Sequence, residues 1–223
     1  MKKEKKLVLF GTGAFAEVAY WYFHEDSIYE VVAFTADPEY CTTTKVLGLP
    51  LIPFDQLEQN FSYQQVEIHV AVGYNKLNQA RYNAYQKTKG KGYTLASYVH
   101  SKIKIWSTNK IGDNVFVFED NTLQPYVELG NDIVLWSGNH IGHHTVIRDH
   151  CFLTSHVVVS GFVEVGEFSF LGVNATIRDS IKIGKRNIIG AGALILGTTS
   201  DDEVYIGAKT SPIPKSSSSI NKI

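Results

Sequence analysis

The sequence predicts an α/β domain followed by a parallel β-helix, and two observations support this prediction. In the first part of the 223-residue chain, short apolar runs alternate with helical patterns, as in βαβ units. From Ile111 to Ile195, every sixth residue is aliphatic, without interruption. We place the α/β domain at 1–98, the β-helix at 99–206 and a C-terminal tail at 207–223.

The first domain is predicted to contain three strands and three helices. We predict strands and helices over the following segments: strands at Leu7–Phe10, Val31–Phe34 and Ile68–Val72, helices at Ala14–Phe23 and Asn75–Lys87, and a short helix at Phe54–Leu57. Three strands are half of the usual six-stranded dinucleotide-binding fold. This size disfavours NAD or FAD and suits a single nucleoside diphosphate.

The six-residue period indicates stacked coils. Each repeat supplies one short strand and a turn, with the aliphatic residue pointing inward, a small residue packing beside it and a glycine permitting the bend. A helix would carry residues of this period around all of its faces, because six is not a multiple of 3.6. A β-sandwich would not keep one register for so long.

Composition and charge exclude several classes of function. Lys and Arg total 21 against 22 Asp and Glu, a net charge of −1, which argues against a nucleic-acid partner. The apolar run Leu7–Phe10 is too short for a signal peptide or a membrane span, so we expect a cytoplasmic protein that does not bind membranes. Two cysteines provide neither a disulfide framework nor a cysteine zinc site, and Cys151, at the small inward position of its repeat, is predicted to pack in the core.

A glycine-rich segment, Gly11-Thr-Gly-Ala-Phe-Ala16, follows the first strand and opens a helix. The first glycine would allow a tight turn, and Gly13 would let a diphosphate approach the backbone and the helix N-terminus. Asp37 follows the second strand, where an acid can accept a hydrogen bond from a ribose hydroxyl. The alternative is an ordinary βα turn. The predicted substrate-binding residues here are Gly11, Thr12, Gly13, Ala14, Phe15 and Asp37.

The repeats, the glycine-rich segment and Val70-Ala-Val-Gly-Tyr-Asn75 together resemble the hexapeptide-repeat acyltransferases of the NeuD and PglD type, over about residues 7–207. The resemblance implies a left-handed β-helix with three repeats per coil, a homotrimer and acetyl-CoA as acyl donor. It also implies that the first domain holds a nucleotide-linked sugar, with Gly73, Tyr74 and Asn75 beside the nucleotide. Tyr74 stands where the family often has Asp, which leaves the base open.

The resemblance also implies residues along the β-helix. Acetyl-CoA would lie in the groove between adjacent subunits, beside His156, Gly161, Val173 and Ala191. Trp136 would be a wall residue or trimer contact that can also line the sugar pocket. The segment Ile206-Gly-Ala-Lys-Thr-Ser211 lacks the proline with which the family commonly ends the β-helix, so the adenine end of the groove is left undefined.

Five of the eight histidines fall between His140 and His156. Acyl transfer to an amine or a hydroxyl needs a base beside the nucleophile, and histidine fits that role. A metal site is the other explanation, but carboxylates are few nearby and no ligand spacing recurs, so we expect no metal. The family register assigns His143 as the catalytic base and places His144 where relatives carry a glutamate that orients it. His140, His150 and His156 are equally compatible with turn or packing roles.

We therefore expect an acetyl-CoA-dependent N-acetyltransferase acting on a nucleotide-diphosphate-linked amino sugar in the biosynthesis of a surface polysaccharide or glycan. Two alternatives stay open: O-acetylation of a sugar of the sialic-acid type, and a non-catalytic β-helix that binds sugar as a scaffold. Both enzyme reactions would use the same histidine, since either nucleophile needs a base.

Overall fold

A five-stranded sheet flanked by helices forms the first domain of the computed structural model, which describes residues 2–220. Its strands are β1 (Lys5–Phe10), β2 (Tyr29–Ala36), β3 (Lys45–Val46), β4 (Leu49–Pro53) and β5 (Glu67–Val70). Its helices are α1 (Ala14–Glu25), α2 (Leu57–Asn60) and α3 (Gln79–Gly90), with 3-10 turns at Pro38–Tyr40 and Phe54–Gln56. No membrane-spanning helix is found within residues 2–220.

The strand order β3-β4-β2-β1-β5 corrects the sequence-based count of three strands. The core strands β4, β2, β1 and β5 run parallel, as βαβ units require. The two missed strands, β3 and β4, pair as an antiparallel hairpin through Leu47 (φ 49°) and Gly48 (φ 81°). Because β3 has two residues, it is too short to produce a recognisable alternation.

The second domain is a β-helix of three parallel sheets. The sheet that faces the first domain, the docking sheet, contains Tyr98–Val99, Phe116–Val117, Val134–Leu135, Phe152–Leu153, Phe170–Leu171, Ile188–Ile189 and Val204–Tyr205. The second sheet contains Lys110–Ile111, Glu128–Leu129, Val146–Ile147, Glu164–Val165 and Lys182–Ile183. The third sheet contains Thr122–Leu123, His140–Ile141, Val158–Val159, Thr176–Ile177 and Leu194–Ile195.

Each coil contains three repeats, as predicted, because every strand pairs with the strand three repeats further on, for example Glu128 with Val146. The aliphatic residue of each repeat points into one continuous core, in which Ile141, Ile147 and Leu153 are fully buried. The tail after the last strand includes a 3-10 turn at Ser217–Ser219. The end of the predicted tail, 221–223, and Met1 lie outside the described residues.

Corners of the β-helix bend at a residue that is rarely glycine. The fourth residue of successive repeats has positive φ, as at His144 (59°), His150 (64°) and His156 (59°). The recurring glycines sit two residues earlier and serve close stacking: a Cβ on Gly142 would lie 2.5 Å from the amide nitrogen of Gly161 in the next coil. The prediction that these glycines permit the bend was therefore wrong, since they admit the neighbouring backbone.

The first domain docks through α1. One side of this helix buries Ala16, Ala19 and Phe23, and the cluster they join includes residues of the α/β sheet and of the docking sheet. Phe15 projects toward the docking sheet, where its ring lies 5.7 Å from the ring of Phe116 in a T-shaped arrangement. Helix α1 is therefore held between the two sheets, and its N-terminus has a defined position relative to the β-helix.

His69 is fully buried at this junction and makes folding sensitive to acid. Its Nδ1 lies 2.9 Å from the carbonyl oxygen of Ala96, and its Nε2 has no hydrogen-bond partner among the described residues. Burial lowers its pKa from 6.5 to about 4. As the pH falls below 6.5, His69 of the unfolded chain becomes protonated, whereas His69 of the folded chain stays neutral down to about pH 4. Between these two pH values the free energy of unfolding therefore decreases as the pH falls.

We expect His69→Gln to remove this dependence. Between pH 7 and pH 4.5 the wild-type protein should lose about 2 kcal/mol more unfolding free energy than the variant, measured by urea denaturation at both pH values. Equal losses in the two proteins would show that His69 takes up its proton normally in the folded state.

Candidate functional site

A cavity of about 780 Å³ opens at the carboxyl ends of β1, β2 and β5. Its wall includes most of the predicted substrate-binding residues: Gly11, Thr12, Gly13, Ala14, Phe15, Asp37, Gly73 and Asn75. Side chains that the sequence-based prediction did not include also line it, among them Lys76, Gln79, Asn83 and Lys87. Gln79, Asn83 and Lys87 are spaced four residues apart along α3, so they lie on one face of the helix. This spacing predicts cavity-lining residues only when it is known which face of α3 points to the cavity.

The glycine-rich segment has the geometry of an anion-binding turn. Gly11 has φ 142°, and a Cβ there would lie 2.5 Å from the carbonyl oxygen of Ala71. Gly13 has no atom within 4 Å of its Cβ position, so its backbone is open to the cavity. Helix α1 starts at Ala14, and Gly13, Ala14 and Phe15 all line the cavity, so the positive end of the helix dipole lies at this wall.

Charged groups meet at one side of the cavity. The ammonium of Lys87 lies 2.7 Å from Oδ2 of Asp37, so one of the two carboxylate oxygens of Asp37 is already paired. Gln79 donates a hydrogen bond to the side chain of Asn83 at 2.9 Å. This side of the cavity therefore presents amide and charged groups that can bind the hydroxyls or base of a nucleotide.

Tyr74 and Trp136, also predicted to bind substrate, are absent from the cavity wall formed by the described residues. The ring of Tyr74 lies 5.0 Å from Phe152 of the docking sheet. The indole of Trp136 lies 4.2 Å from the ring of Phe118. Both side chains therefore pack where the two domains meet.

His143 and His144 lie at the corner between the third and second sheets, and both are exposed. Their Nδ1 atoms are 3.2 Å apart, within hydrogen-bonding distance. The backbone amide of His143 donates to the side chain of Gln124 at 2.8 Å. Since only one proton can lie between the two Nδ1 atoms, the tautomer of one ring determines that of the other.

His144 is stacked between two aromatic rings from neighbouring coils. Its ring centre lies 4.5 Å from that of Tyr126 and 4.8 Å from that of Phe162, with interplanar angles of 17° and 15°. Phe162 also contacts His143, at 4.9 Å and nearly perpendicular. The three stacked residues all have positive φ, so the corner backbone places them one above another. This stack fixes the plane of the His144 ring.

Gly161 provides the space for His143. A Cβ on Gly161 would lie 2.9 Å from Cε1 and 3.0 Å from Nε2 of the His143 ring. We expect Gly161→Ala to displace that ring and to lower kcat by about 10- to 100-fold without unfolding the protein. Gly197, which holds the same repeat position two coils further on, has open space around its Cβ, so Gly197→Ala is the matched control. Full activity in Gly161→Ala would contradict the importance of this packing.

The other predicted acetyl-CoA residues lie on a different corner, which follows the docking sheet. Val173 and Ala191 occupy equivalent positions in successive coils, and both are exposed. His156 is exposed on the same corner, where its ring covers Gly138; a Cβ on that glycine would lie 2.5 Å from Nδ1 of the ring. Gly161, on the His143 corner, is thus separated from these three within one chain.

The remaining residues of the histidine cluster have separate positions. His140 lies on a strand of the third sheet. His150 is buried, and its Nδ1 lies 2.9 Å from Asp132 at the domain junction. Cys151 is fully buried in the β-helix core, which confirms the predicted packing role, and this burial raises the pKa of its thiol to about 12. Among residues 2–220, no group of three His, Cys, Asp or Glu side chains is arranged to hold a metal ion.

The cavity and the His143 corner lie on opposite sides of the β-helix within one chain. The three sheets enclose the core as the sides of a prism, so each corner faces away from the sheet that it does not join. The first domain packs on the docking sheet through Phe15. His143 lies on the corner opposite that sheet. The cavity and the His143 corner of one chain therefore face apart.

Comparisons with known proteins agree with this architecture. Residues 6–85 match the family model of the PglD N-terminal domain. PerB from Caulobacter crescentus, solved in complex with CoA and GDP-perosamine, is 25% identical with a TM-score of 0.77, covering 91% of this chain and 94% of PerB. The acetyltransferase domain of PglB from Neisseria gonorrhoeae, in complex with acetyl coenzyme A, is 22% identical with a TM-score of 0.82, covering 94% of this chain and 100% of that domain.

A curated relative shows a more limited likeness. The acyl-[acyl-carrier-protein]–UDP-N-acetylglucosamine O-acyltransferase of Burkholderia lata is 25% identical over 84 residues, which are 38% of this chain. The match spans about a third of that relative's length, 32%.

Proposed function

We propose that this chain, whose residues 6–85 match the PglD N-terminal domain and whose fold is similar to those of PglB and PerB, transfers an acetyl group from acetyl-CoA to the amine of a nucleotide-linked sugar. One observation carries the proposal: a cavity built around an anion-binding helix N-terminus occurs in the same chain as an exposed histidine held in place by its neighbours. The first feature suits a diphosphate, and the second suits a base.

The proposed reaction uses His143 as the base. If His143 donates its Nδ1 proton to His144, its Nε2 carries a free lone pair. The neutral sugar amine attacks the thioester carbonyl carbon, and His143 Nε2 takes the proton from that nitrogen. The carbon–sulfur bond then breaks, and the imidazolium returns the proton to the departing sulfur, so coenzyme A leaves as the thiol and the base is regenerated. His144 then acts as a hydrogen-bond acceptor that orients the base, which is the role of the family glutamate.

The proposed site combines two copies of the chain. The cavity of one copy would supply the sugar to the His143 of its neighbour, since the two features of one chain face apart. Acetyl-CoA would run between the copies, along the corner with His156, Val173 and Ala191 of one and beside Gly161 of the other. A homotrimer of the kind that the resemblance implies provides such a groove.

The cavity favours an amino sugar linked to a nucleotide over free sialic acid. A diphosphate offers several anionic oxygens to the open backbone at Gly13 and the helix N-terminus behind it, whereas free sialic acid offers a single carboxylate. PerB, solved with GDP-perosamine, has the same two-domain arrangement. O-acetylation of a hydroxyl is the second candidate, because the Burkholderia lata relative is an O-acyltransferase.

Release of coenzyme A tests the proposal. Acetyl-CoA would be combined with uridine-, thymidine- and guanosine-diphosphate amino sugars, with their hydroxyl counterparts and with free sialic acid. Turnover confined to an amino sugar is the expected result. Turnover confined to a hydroxyl acceptor would assign O-acetylation instead, and failure to bind acetyl-CoA at all would indicate a scaffold.

A further inference from the structure

A left-handed turn of three non-glycine residues precedes α3. Lys76, Leu77 and Asn78 have φ values of 52°, 51° and 65°. L-residues disfavour this conformation because Cβ approaches the following carbonyl oxygen, and consecutive examples are rare. The turn is why α3 begins at Gln79, later than the start at Asn75 that the sequence predicts. Backbone of this kind persists only where surrounding contacts hold it.

Asn78 anchors the turn to the β-helix. Its side chain is buried; its Nδ2 donates to the carbonyl oxygen of Phe168 at 3.2 Å, and its Oδ1 accepts from Arg81 Nη1 at 3.1 Å. Phe168 lies on the corner between the second and docking sheets. The last residue of the turn is therefore bonded to both domains.

Arg81 continues this connection through a fully buried ion pair. Its Nε donates to Asp132 Oδ1 at 3.0 Å, and its Nη2 donates to the backbone carbonyl oxygens of Asp132 at 2.9 Å and Cys151 at 3.2 Å. Neither charged side chain is exposed. Asn114 donates to Asp132 Oδ1 at 2.7 Å, and His150 Nδ1 lies 2.9 Å from Oδ2. A pair of this kind contributes precise geometry more than net stability.

The opposite end of the same loop forms the cavity. Gly73, Asn75 and Lys76 line its wall, while Tyr74 between them packs on the docking sheet, with its ring 4.9 Å from that of Phe170. Lys76 is therefore one of the residues that line the cavity where a diphosphate would bind. The position of these groups depends on the turn, because only Leu77 separates Lys76 from Asn78.

We propose that Asn78, Arg81 and Asp132 are positioning residues for the nucleotide-sugar cavity. They hold the turn at 76–78 in its left-handed form and so place Asn75 and Lys76 against the diphosphate. The inference rests on the proposed function of the cavity. Contacts from the β-helix would then influence the nucleotide affinity of a cavity that lies in the first domain.

The test separates the anchor from the backbone conformation. Asn78→Gly keeps the ion pair and adopts positive φ easily, but removes both side-chain bonds. Leu77→Gly relieves strain next to it and keeps the anchor, so it is the matched control. Affinities for UDP, dTDP and GDP would be measured by titration calorimetry, with thermal unfolding to verify the fold and KM for acetyl-CoA as a reference.

We expect Asn78→Gly to weaken binding of the preferred nucleoside diphosphate at least tenfold and to raise KM for the nucleotide sugar, with KM for acetyl-CoA unchanged. Leu77→Gly should bind within twofold of the wild type. Unchanged affinity in a folded Asn78→Gly protein would overturn the positioning role alone. Failure of the wild-type protein to bind any of the three diphosphates would overturn both this role and the proposed function of the cavity.

Discussion

Replacing His143 with alanine is expected to lower kcat by about 100- to 10,000-fold, the usual contribution of a positioned base. KM for acetyl-CoA should change little, because the proposed donor contacts are backbone and neighbouring residues. The measurement is steady-state release of coenzyme A with the preferred acceptor. His140→Ala is the matched control, since that histidine lies on a strand of the third sheet, away from the corner. Equal losses in both variants would contradict the assignment of His143.

The same variant tests whether the site combines two copies. Gly13→Val fills the open backbone of the cavity while leaving His143 intact. Each variant alone should be inactive. After the two proteins are mixed, unfolded and refolded together, about a quarter of the wild-type activity should return if each site takes its histidine and its cavity from different subunits. No recovery in oligomers shown to contain both variants would place both features of the site in one chain.

Removing the buried carboxylate at the domain junction is expected to have the largest effect on stability. Asp132→Ala leaves the guanidinium of Arg81 buried without its counter-ion, and we expect a loss of about 3–5 kcal/mol in unfolding free energy. The measurement is urea denaturation, monitored by circular dichroism. By contrast, Glu128→Ala breaks the largely exposed pair with Lys110 and should cost less than about 1 kcal/mol.

A double replacement separates charge from packing. Arg81→Met with Asp132→Leu removes both charges and keeps apolar volume, so most of the lost stability should return. If the double variant is as unstable as Asp132→Ala, the hydrogen bonds from Asn114 and His150 carry the stability at this junction.

Sequence patterns predicted the β-helix and the glycine-rich turn well, because both are local. Each repeat must place an aliphatic residue inward, and a positive φ of 142° at Gly11 is available to glycine at little cost. Prediction was poorer for the helix after β5, since nothing in the segment from Lys76 to Asn78 signals a left-handed turn. The backbone there takes the left-handed conformation because Asn78 contacts Phe168, a residue far away in the chain.

The sequence by itself determined the order of an α/β domain and a β-helix, the glycine-rich turn and the clustering of histidines, whereas the three repeats per coil and the assignment of His143 as base came from the resemblance to a known family. Only the tertiary structure decided that Tyr74 and Trp136 pack between the domains, that two aromatic rings stack on His144, and that Arg81 pairs with Asp132. The physical reason is the range of the interactions. Periodicity reports which way each side chain points within one element, whereas a contact between residues 81 and 132 exists only after two domains have docked.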